Sequence, residues 1–583
     1  MEPSVVLTEA ILLSPAAYHP PLAQSNTPSE ANPDWSRSFL NPATRIDSLD
    51  FVANPTWDID GAEPDGRQIW AIPRFARNRP PRRIDVYVGD LTEPSNPSLQ
   101  ILKPGSLQLT SRKAAGQSNI CRHILRALEF WSSEFGDFEE EYLALPFGSQ
   151  ITVTTIEVNV RNMEVTLIPR YDLERQWLSV ASLQEMWELP QDTLQPERID
   201  IDELRFQEQL YDSIGLVEIT GKEGKTLVLK TISLDTKVLY HELKVLLTMP
   251  PHPNISCRPS YVVTKKVRFG GKRGVCGFLM PYYPLGTVDT LLRTGIHPPP
   301  SLLLQWAKQL TEALIHVRDS PAKFYTDLSP RNIAIVESTG GARQLVLIDY
   351  DQGTPGYTRA PPEIKYFTTI EKLARSKTIG PDQQVYISLM HSLDPNWMPF
   401  NPSIQYTKGF PGPSAAWLAL NAQEAERAMT YMLGKLLWSL FEGAADLPEP
   451  ASVAGFRLPA RSPVFPRFNK TPTGLTDIIT KCTAGADEWD GIRQPFVIHN
   501  GKIYARDLAT GEMSASTAAI QESARSWWKF EIERAKRYFR IKRSGSEIPL
   551  SASDGALVCS IAKRPNLETV LQAIEDVLEK ESG

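Results

Sequence analysis

Cysteine is scarce in this chain, 5 of 583 residues. Cys121, Cys257, Cys276, Cys482 and Cys559 are widely spaced, with no C-x-x-C pair and no His-rich companion, so neither a disulfide framework nor a zinc site is implied. An excess of positive charge is also missing. Lys and Arg number 62 against 68 Asp and Glu, a net charge of −6, which argues against a general nucleic-acid binder. No apolar run approaches the ~20 residues of a membrane helix. A secretory start is lacking too: Val5-Val6-Leu7 and Ile11-Leu12-Leu13 are split by Glu9, with no basic stretch before them. These absences lead us to expect an intracellular protein of cytoplasm or nucleus, with neither nucleic acid nor membrane as partner. The composition, 42% hydrophobic and 22% charged, is enough for two or three domains.

Residues 1–65 are rich in Pro, Ser and Asn and are expected to be mostly disordered. Five arginines interleave with prolines between Arg74 and Arg83; they read as a solvated linker, with a nuclear signal as the alternative. Residues 118–135 carry Ile120, Ile124, Leu125, Leu128 and Trp131 on one helical face. Ile151 to Ile168 alternates apolar and polar residues around Arg161-Asn162, a hairpin pattern. Leu302, Leu303, Trp306, Leu310, Ala313, Leu314 and Val317 form a helical core stripe. A late Asn500-Gly501 turn predicts a second hairpin. The helix after it carries Trp527, Trp528, Ile532 and Phe539 at helical spacing and ends basic, Arg534 to Arg543. We read that end as cations near a helix C-terminus, with docking of an acidic partner as the alternative.

The most informative segment is Asp327-Leu328-Ser329-Pro330-Arg331-Asn332, followed by two apolar runs and then Asp349-Tyr350-Asp351. The runs, Ile333 to Val336 and Leu345 to Ile348, flank a turn-rich connector and predict a β-hairpin. A hairpin brings its ends together, so Asp327, Asn332 and Asp349 should converge at one mouth. Two carboxylates and an amide oxygen are hard ligands, suited to Mg²⁺ and the phosphate chain it carries.

This segment resembles the catalytic loop and metal-binding loop of eukaryotic protein kinases, H-R-D-L-x-x-x-N followed by D-F-G. Other elements of that signature follow in order. Leu227-Val228-Leu229-Lys230 is similar to the strand bearing the phosphate-anchoring lysine, and Glu242 to the helix glutamate that pairs with it. His252-Pro253-Asn254-Ile255 matches the turn after that helix. Phe278 to Tyr283 resembles the hinge, Ala360-Pro361-Pro362-Glu363 the end of the activation segment, Leu433 to Trp438 the central helix, and Lys563-Arg564-Pro565 the late arginine motif. The similarity runs from about residue 200 to 575, and it is strongest to the divergent kinase-like proteins abundant in fungi.

The resemblance implies an α+β, two-lobed protein-kinase-like fold. A small β-rich lobe would span 200–282 and a large helical lobe 283–583, with an N-terminal extension at 66–199 and insertions at about 366–424 and 444–550. It implies ATP and Mg²⁺ as cofactors and a hydroxyl, of a protein or a small molecule, as acceptor. Lys230 would hold the phosphates, Glu242 would hold Lys230, and Met280 and Tyr282 of the hinge would contact the nucleotide. Asn332 and Asp349 would bind the metal. Asp327 would orient the acceptor hydroxyl, and Arg331 would neutralise the transferring phosphate. Two alternatives stand beside this reading. One is a pseudokinase scaffold acting by contact; the other is a kinase-fold enzyme that modifies a metabolite or transfers a nucleotidyl group.

Departures from the pattern shape the expectation. Tyr325 and Thr326 stand where His and Arg precede the catalytic Asp, and Asp351 stands in place of the D-F-G glycine. The candidate phosphate-loop stretch, Leu210 to Val217, holds one glycine, Gly215. Met429 falls where the central helix usually carries an Asp. The segment from Asp349 to Glu363 is too short to fold over a substrate cleft. Activity is therefore expected to be independent of phosphorylation at Thr354, Tyr357 or Thr358, with Glu363 pairing with Arg564 instead.

Overall fold

The computed structural model describes residues 54–582, apart from 63–67, 81–83, 90–96, 103–117, 190–195, 354–358, 376–382, 399–404, 448–464, 490–495, 545–559 and a few shorter stretches. The expected loose region at 1–53 therefore lies outside the described residues, as do Thr354, Tyr357, Thr358 and the Asn500-Gly501 turn. The chain is a mixed α+β structure built around two separate apolar cores.

The first core belongs to a five-stranded sheet in the order β1-β2-β3-β4-β5, with β1 at Trp57–Ala62, β2 at Gln68–Pro73, β3 at Ile84–Val88, β4 at Gln150–Thr155 and β5 at Glu164–Ile168. Strand β1 falls inside the stretch expected to be loose. Trp57 and Ile59 alternate inward and supply the apolar face that a Pro- and Asn-rich composition hides. β3 and β4 pair in parallel, which requires a crossover. That crossover contains helix α1, Asn119–Ser133, whose Ile120, Ile124 and Leu128 are buried against the sheet's core. The predicted hairpin is present as antiparallel β4 and β5, with a single 3₁₀ turn, Val160–Asn162, in the connection.

A six-stranded sheet follows in the order β6-β10-β11-β9-β8-β7. Its strands are β6 (Glu197–Asp200), β7 (Leu204–Tyr211), β8 (Ile214–Ile219), β9 (Lys222–Thr231), β10 (Tyr261–Lys266) and β11 (Arg273–Pro281). Helix α2, Thr236–Thr248, opens on Asp235, whose side chain caps the Lys237 N–H at 2.7 Å. Leu239, Leu243 and Leu246 bury its inner face. Its Tyr240 hydroxyl donates to the Val275 carbonyl of β11 at 2.9 Å and accepts from the Leu178 N–H at 3.0 Å.

The remainder is helical. Helix α3, Pro300–Asp319, carries the predicted stripe, buried from Leu303 to Val317. A short hairpin, β12 (Ile333–Glu337) and β13 (Arg343–Leu347), follows. Helix α4 spans Pro362–Arg375 and helix α5 Ala422–Glu442. α5 starts at a reciprocal cap between Asn421 and Glu424, is buried along its C-terminal half and stops at Gly443, φ 77°. A three-stranded sheet, β14 (Phe496–His499), β15 (Lys502–Arg506) and β16 (Met513–Ser514), includes the predicted second hairpin and adds a strand to it. Helix α6, Thr517–Ser544, lays Tyr538 and Phe539 on Tyr366 and Phe367 of α4, with ring centroids 5.5 and 6.1 Å apart. Its Arg534 is no surface cation. It pairs with Asp487 at 2.7 Å and Glu531 at 3.2 Å. Helix α7, Leu567–Ser582, packs along α3 and closes the described chain. Among the described residues no helix is long and apolar enough to cross a membrane.

The first core contains a pH-sensitive group. His123 on α1 is fully buried and its Nε2–H donates to the Glu157 carbonyl at 2.7 Å. Burial pushes its pKa down to about 4, against the smaller upward pull of that hydrogen bond. The native state therefore keeps His123 neutral while the unfolded chain protonates near pH 6.5. Stability is lost as pH falls from 6.5 towards 4, by up to about 3 kcal/mol. Urea denaturation of wild type and His123→Gln at pH 7 and pH 4.5 checks this. Gln keeps a donor for Glu157 but cannot titrate, so the variant should lose less stability on acidification; equal losses would contradict the assignment.

Candidate functional site

Lys230 sits on β9 between β8 and β11, paired in register with Ile214 and Phe278. Strand alternation buries Leu227 and Leu229 on one face and leaves Val228 and Lys230 on the other. Helix α2 presents Glu242, 2% exposed, towards that lysine. The Lys230 ammonium lies 2.6 Å from Glu242 Oε2 and 2.5 Å from Asp349 Oδ1. Burial opposes the charge on Lys230, but Asp349, Glu242 and Asp351 outweigh it and raise the lysine pKa, so the ammonium stays protonated.

The hairpin gathers the other residues. Ile333 faces Leu347 in the β12–β13 register, and the Ile348 N–H donates to the Asn332 carbonyl at 3.0 Å. Asp327, Asn332 and Asp349 thus meet at one mouth, as the spacing predicts. The Asn332 amide nitrogen donates to Asp327 Oδ2 at 3.0 Å and to the Asp327 carbonyl at 3.1 Å. Its amide oxygen is left as the side chain's remaining ligand atom. The His252–Ile255 turn pins the hairpin to the end of α2. Asn254 Nδ2 donates to the Leu345 carbonyl at 2.7 Å, and the Leu347 N–H to the Asn254 carbonyl at 2.9 Å. The Tyr350 N–H donates to Glu242 Oε1 at 3.1 Å, so one carboxylate serves both the lysine and the loop.

Three carboxylates, Glu242, Asp349 and Asp351, surround one ammonium. Burial pushes the Glu242 and Asp351 carboxyls upward, Lys230 pulls both down, and the neighbouring Asp349 pushes both up again, with a net rise in each case. Among the described residues no group of three or more His, Cys, Asp or Glu is placed to hold a metal by itself. Asp349 and the Asn332 oxygen nevertheless fit Mg²⁺, which uses one or two carboxylates and completes its shell with phosphate oxygens and water. Met280 and Tyr282 are half-buried at and just past the end of β11, two strand positions beyond Phe278 in the case of Met280. Arg331 is exposed on the Pro330–Asn332 turn.

The departures have physical counterparts. At the end of β7, Tyr211 pairs with Ile214, the first residue of β8. The Ser213 carbonyl is held by the Thr231 N–H at 2.9 Å and its hydroxyl at 3.1 Å. Tyr325 packs edge-on against Tyr350, with centroids 5.3 Å apart, and its hydroxyl donates to the Ile348 carbonyl at 2.5 Å. The Tyr325 N–H points at Met429 Sδ, 3.3 Å away. A buried contact to soft sulfur stands where a carboxylate would be expected.

Sequence reasoning missed the bracing of α2. Tyr406, in the 366–424 stretch, accepts from Trp187 Nε1 at 2.9 Å and packs on Tyr240 with centroids 5.6 Å apart. His241 bonds Gln352, 111 positions later, at 2.8 Å. No local pattern announces either contact. No protein-family model matches the chain, and no curated protein matches it in sequence.

Glu363 and Arg564 come together as expected, at 2.6 and 3.3 Å, both buried. Arg564 also donates Nε–H to the Ala484 carbonyl at 2.9 Å and stacks over Tyr431. Glu363→Ala would leave a buried guanidinium without its counter-ion, at a cost of about 3–5 kcal/mol. Thermal and urea denaturation measure it; a loss under about 1 kcal/mol would mean the pair does not hold α4 in place.

Proposed function

We propose that the chain is a divergent protein-kinase-like phosphotransferase. Its six-stranded sheet with α2 would form the small lobe and its helical part the large lobe, and it would move the γ-phosphate of Mg-ATP to a hydroxyl, most often on a protein. The observation that carries this reading is Lys230 between Glu242 at 2.6 Å and Asp349 at 2.5 Å, with Asp327 and Asn332 bonded at 3.0 Å in the same mouth.

In this reading Lys230 binds the α and β phosphates, and Glu242 keeps it aimed. Asp349 and the Asn332 oxygen would hold Mg²⁺, which would supply neutralisation of phosphate charge. Asp327 accepts a hydrogen bond from the acceptor hydroxyl and orients its oxygen in line with the γ-phosphorus. The new O–P bond forms as the β–γ bridging bond breaks. ADP leaves with the electron pair, and the hydroxyl proton passes to Asp327 and on to water. Arg331, exposed on its turn, would neutralise the transferring phosphate. Met280 and Tyr282 line the edge against which the base would lie.

One observation favours a second reading, a scaffold that binds nucleotide without turnover. The stretch from Leu210 to Val217 holds one glycine, Gly215, where close backbone approach to phosphates calls for several. Incubation with α-labelled and γ-labelled ATP separates the possibilities. We expect label to transfer from the γ position only; transfer from α would mean nucleotidylation, and binding without transfer would mean a scaffold. Asp327→Ala should lower transfer by about a hundredfold or more while leaving ATP affinity nearly unchanged. Near-normal turnover in that variant would remove Asp327 from the mechanism.

A further inference from the structure

Gln352 follows directly on the Asp349-Tyr350-Asp351 triplet and is buried, with only 4% of its surface exposed. Its backbone is left-handed, φ 53°, and so is that of Asp349, φ 65°. Two non-glycine residues in that region within four positions are strained, and such strain persists only where the surroundings over-determine it. The Gln352 side chain supplies that determination. Its Nε2 donates to the Ala322 carbonyl at 2.9 Å and to the Phe324 carbonyl at 2.8 Å. Carbonyls only accept, so the amide nitrogen must face them and Oε1 must face away. Oε1 meets His241 Nε2 at 2.8 Å, so that ring nitrogen must carry the proton. His241 is in turn enclosed by Phe410, with centroids 5.8 Å apart, and by Gly412, where a Cβ would lie 3.3 Å from the ring.

One side chain therefore ties three elements: the stretch leading into Asp327, the loop carrying Asp349, and the helix carrying Glu242. The position before it is Asp351, where a glycine would have given a freely rotating unit. We propose that Gln352 is a positioning residue, a latch that holds the Asp349 loop in one conformation against the Glu242 helix and the Asp327 stretch. The catalytic consequence rests on the phosphotransferase reading; the latch itself does not.

The test uses the full chain and two readouts. Hydrogen exchange of the 347–353 segment reports the loop, because the Tyr350 N–H is held by Glu242. Exchange along α6, which packs on α4, reports overall integrity. Gln352→Met removes all three hydrogen bonds at similar volume. His241→Leu removes one bond from the partner side, and His241→Gln restores an N–H donor near the place of Nε2. Exchange at 347–353 should rise about tenfold or more in Gln352→Met and His241→Leu, return towards wild type in His241→Gln, and stay unchanged along α6. Transfer from γ-labelled ATP should fall in the two disrupting variants by on the order of a hundredfold in kcat, with KM for ATP nearly constant, and recover in His241→Gln. Wild-type exchange at 347–353 in His241→Leu, or failure of His241→Gln to restore protection, would overturn the latch; because the His241 pair decides this, misfolding of Gln352→Met would not shield it. Absence of transfer in wild type, with the exchange pattern as expected, would refute the phosphotransferase reading and leave the latch standing.

Discussion

The Lys230 ammonium, buried between carboxylates, is the constraint on which the rest of the site depends. A lone charge in that place would be too costly to keep, so the lysine stays protonated only because Glu242 and Asp349 lie 2.6 and 2.5 Å away. Those partners come from different elements, a helix after β9 and a loop 119 residues from the lysine. Their positions are therefore tied to one another through the ion. Around it the protein supplies rigid fixtures: the Tyr240 hydroxyl between β11 and the Leu178 backbone, the Asn254 clamp on β13, the Tyr350 N–H on Glu242, and Gln352 beneath the loop.

The electrostatics follow from the same crowding. One ammonium is shared by three carboxylates, and Glu242 and Asp351 are pushed towards protonation. A divalent ion beside Asp349 and Asn332 would draw those carboxyls back to their ionised forms. A nucleotide phosphate would then give Lys230 the anionic partner that Asp349 gives up to the metal. The hydrogen bonds of Gln352 to His241, Ala322 and Phe324 tie the Asp349 loop to its neighbours.

Legibility in the sequence tracked the range of the interaction. The β12–β13 hairpin was readable because two apolar runs and a turn-rich connector are contiguous, and its geometry alone brings Asn332 to Ile348. The α3 stripe and the α1 face were readable from helical periodicity. Strand β1 was not, because Trp57 and Ile59 lie in a Pro- and Asn-rich stretch and gain their place by pairing with β2. The parallel β3–β4 pairing joins strands some sixty residues apart, which no local pattern encodes. Gln352 and His241 look like ordinary polar residues in sequence; only burial with forced donors and acceptors reveals their role. Arg534 belonged to an expected basic helix end and proved to be a half-buried ion-pair partner of Asp487.

The central claim is that Asp349 and Asn332 hold a metal that brings nucleotide phosphates to Lys230. Calorimetric titration with ATP, with and without Mg²⁺, on wild type and Asp349→Asn tests it most directly. The account predicts that Mg²⁺ tightens ATP binding to wild type and that Asp349→Asn loses most of this gain, since it removes the charged ligand of a hard cation. ATP binding that ignores Mg²⁺, or an equal Mg²⁺ gain in the variant, would contradict it.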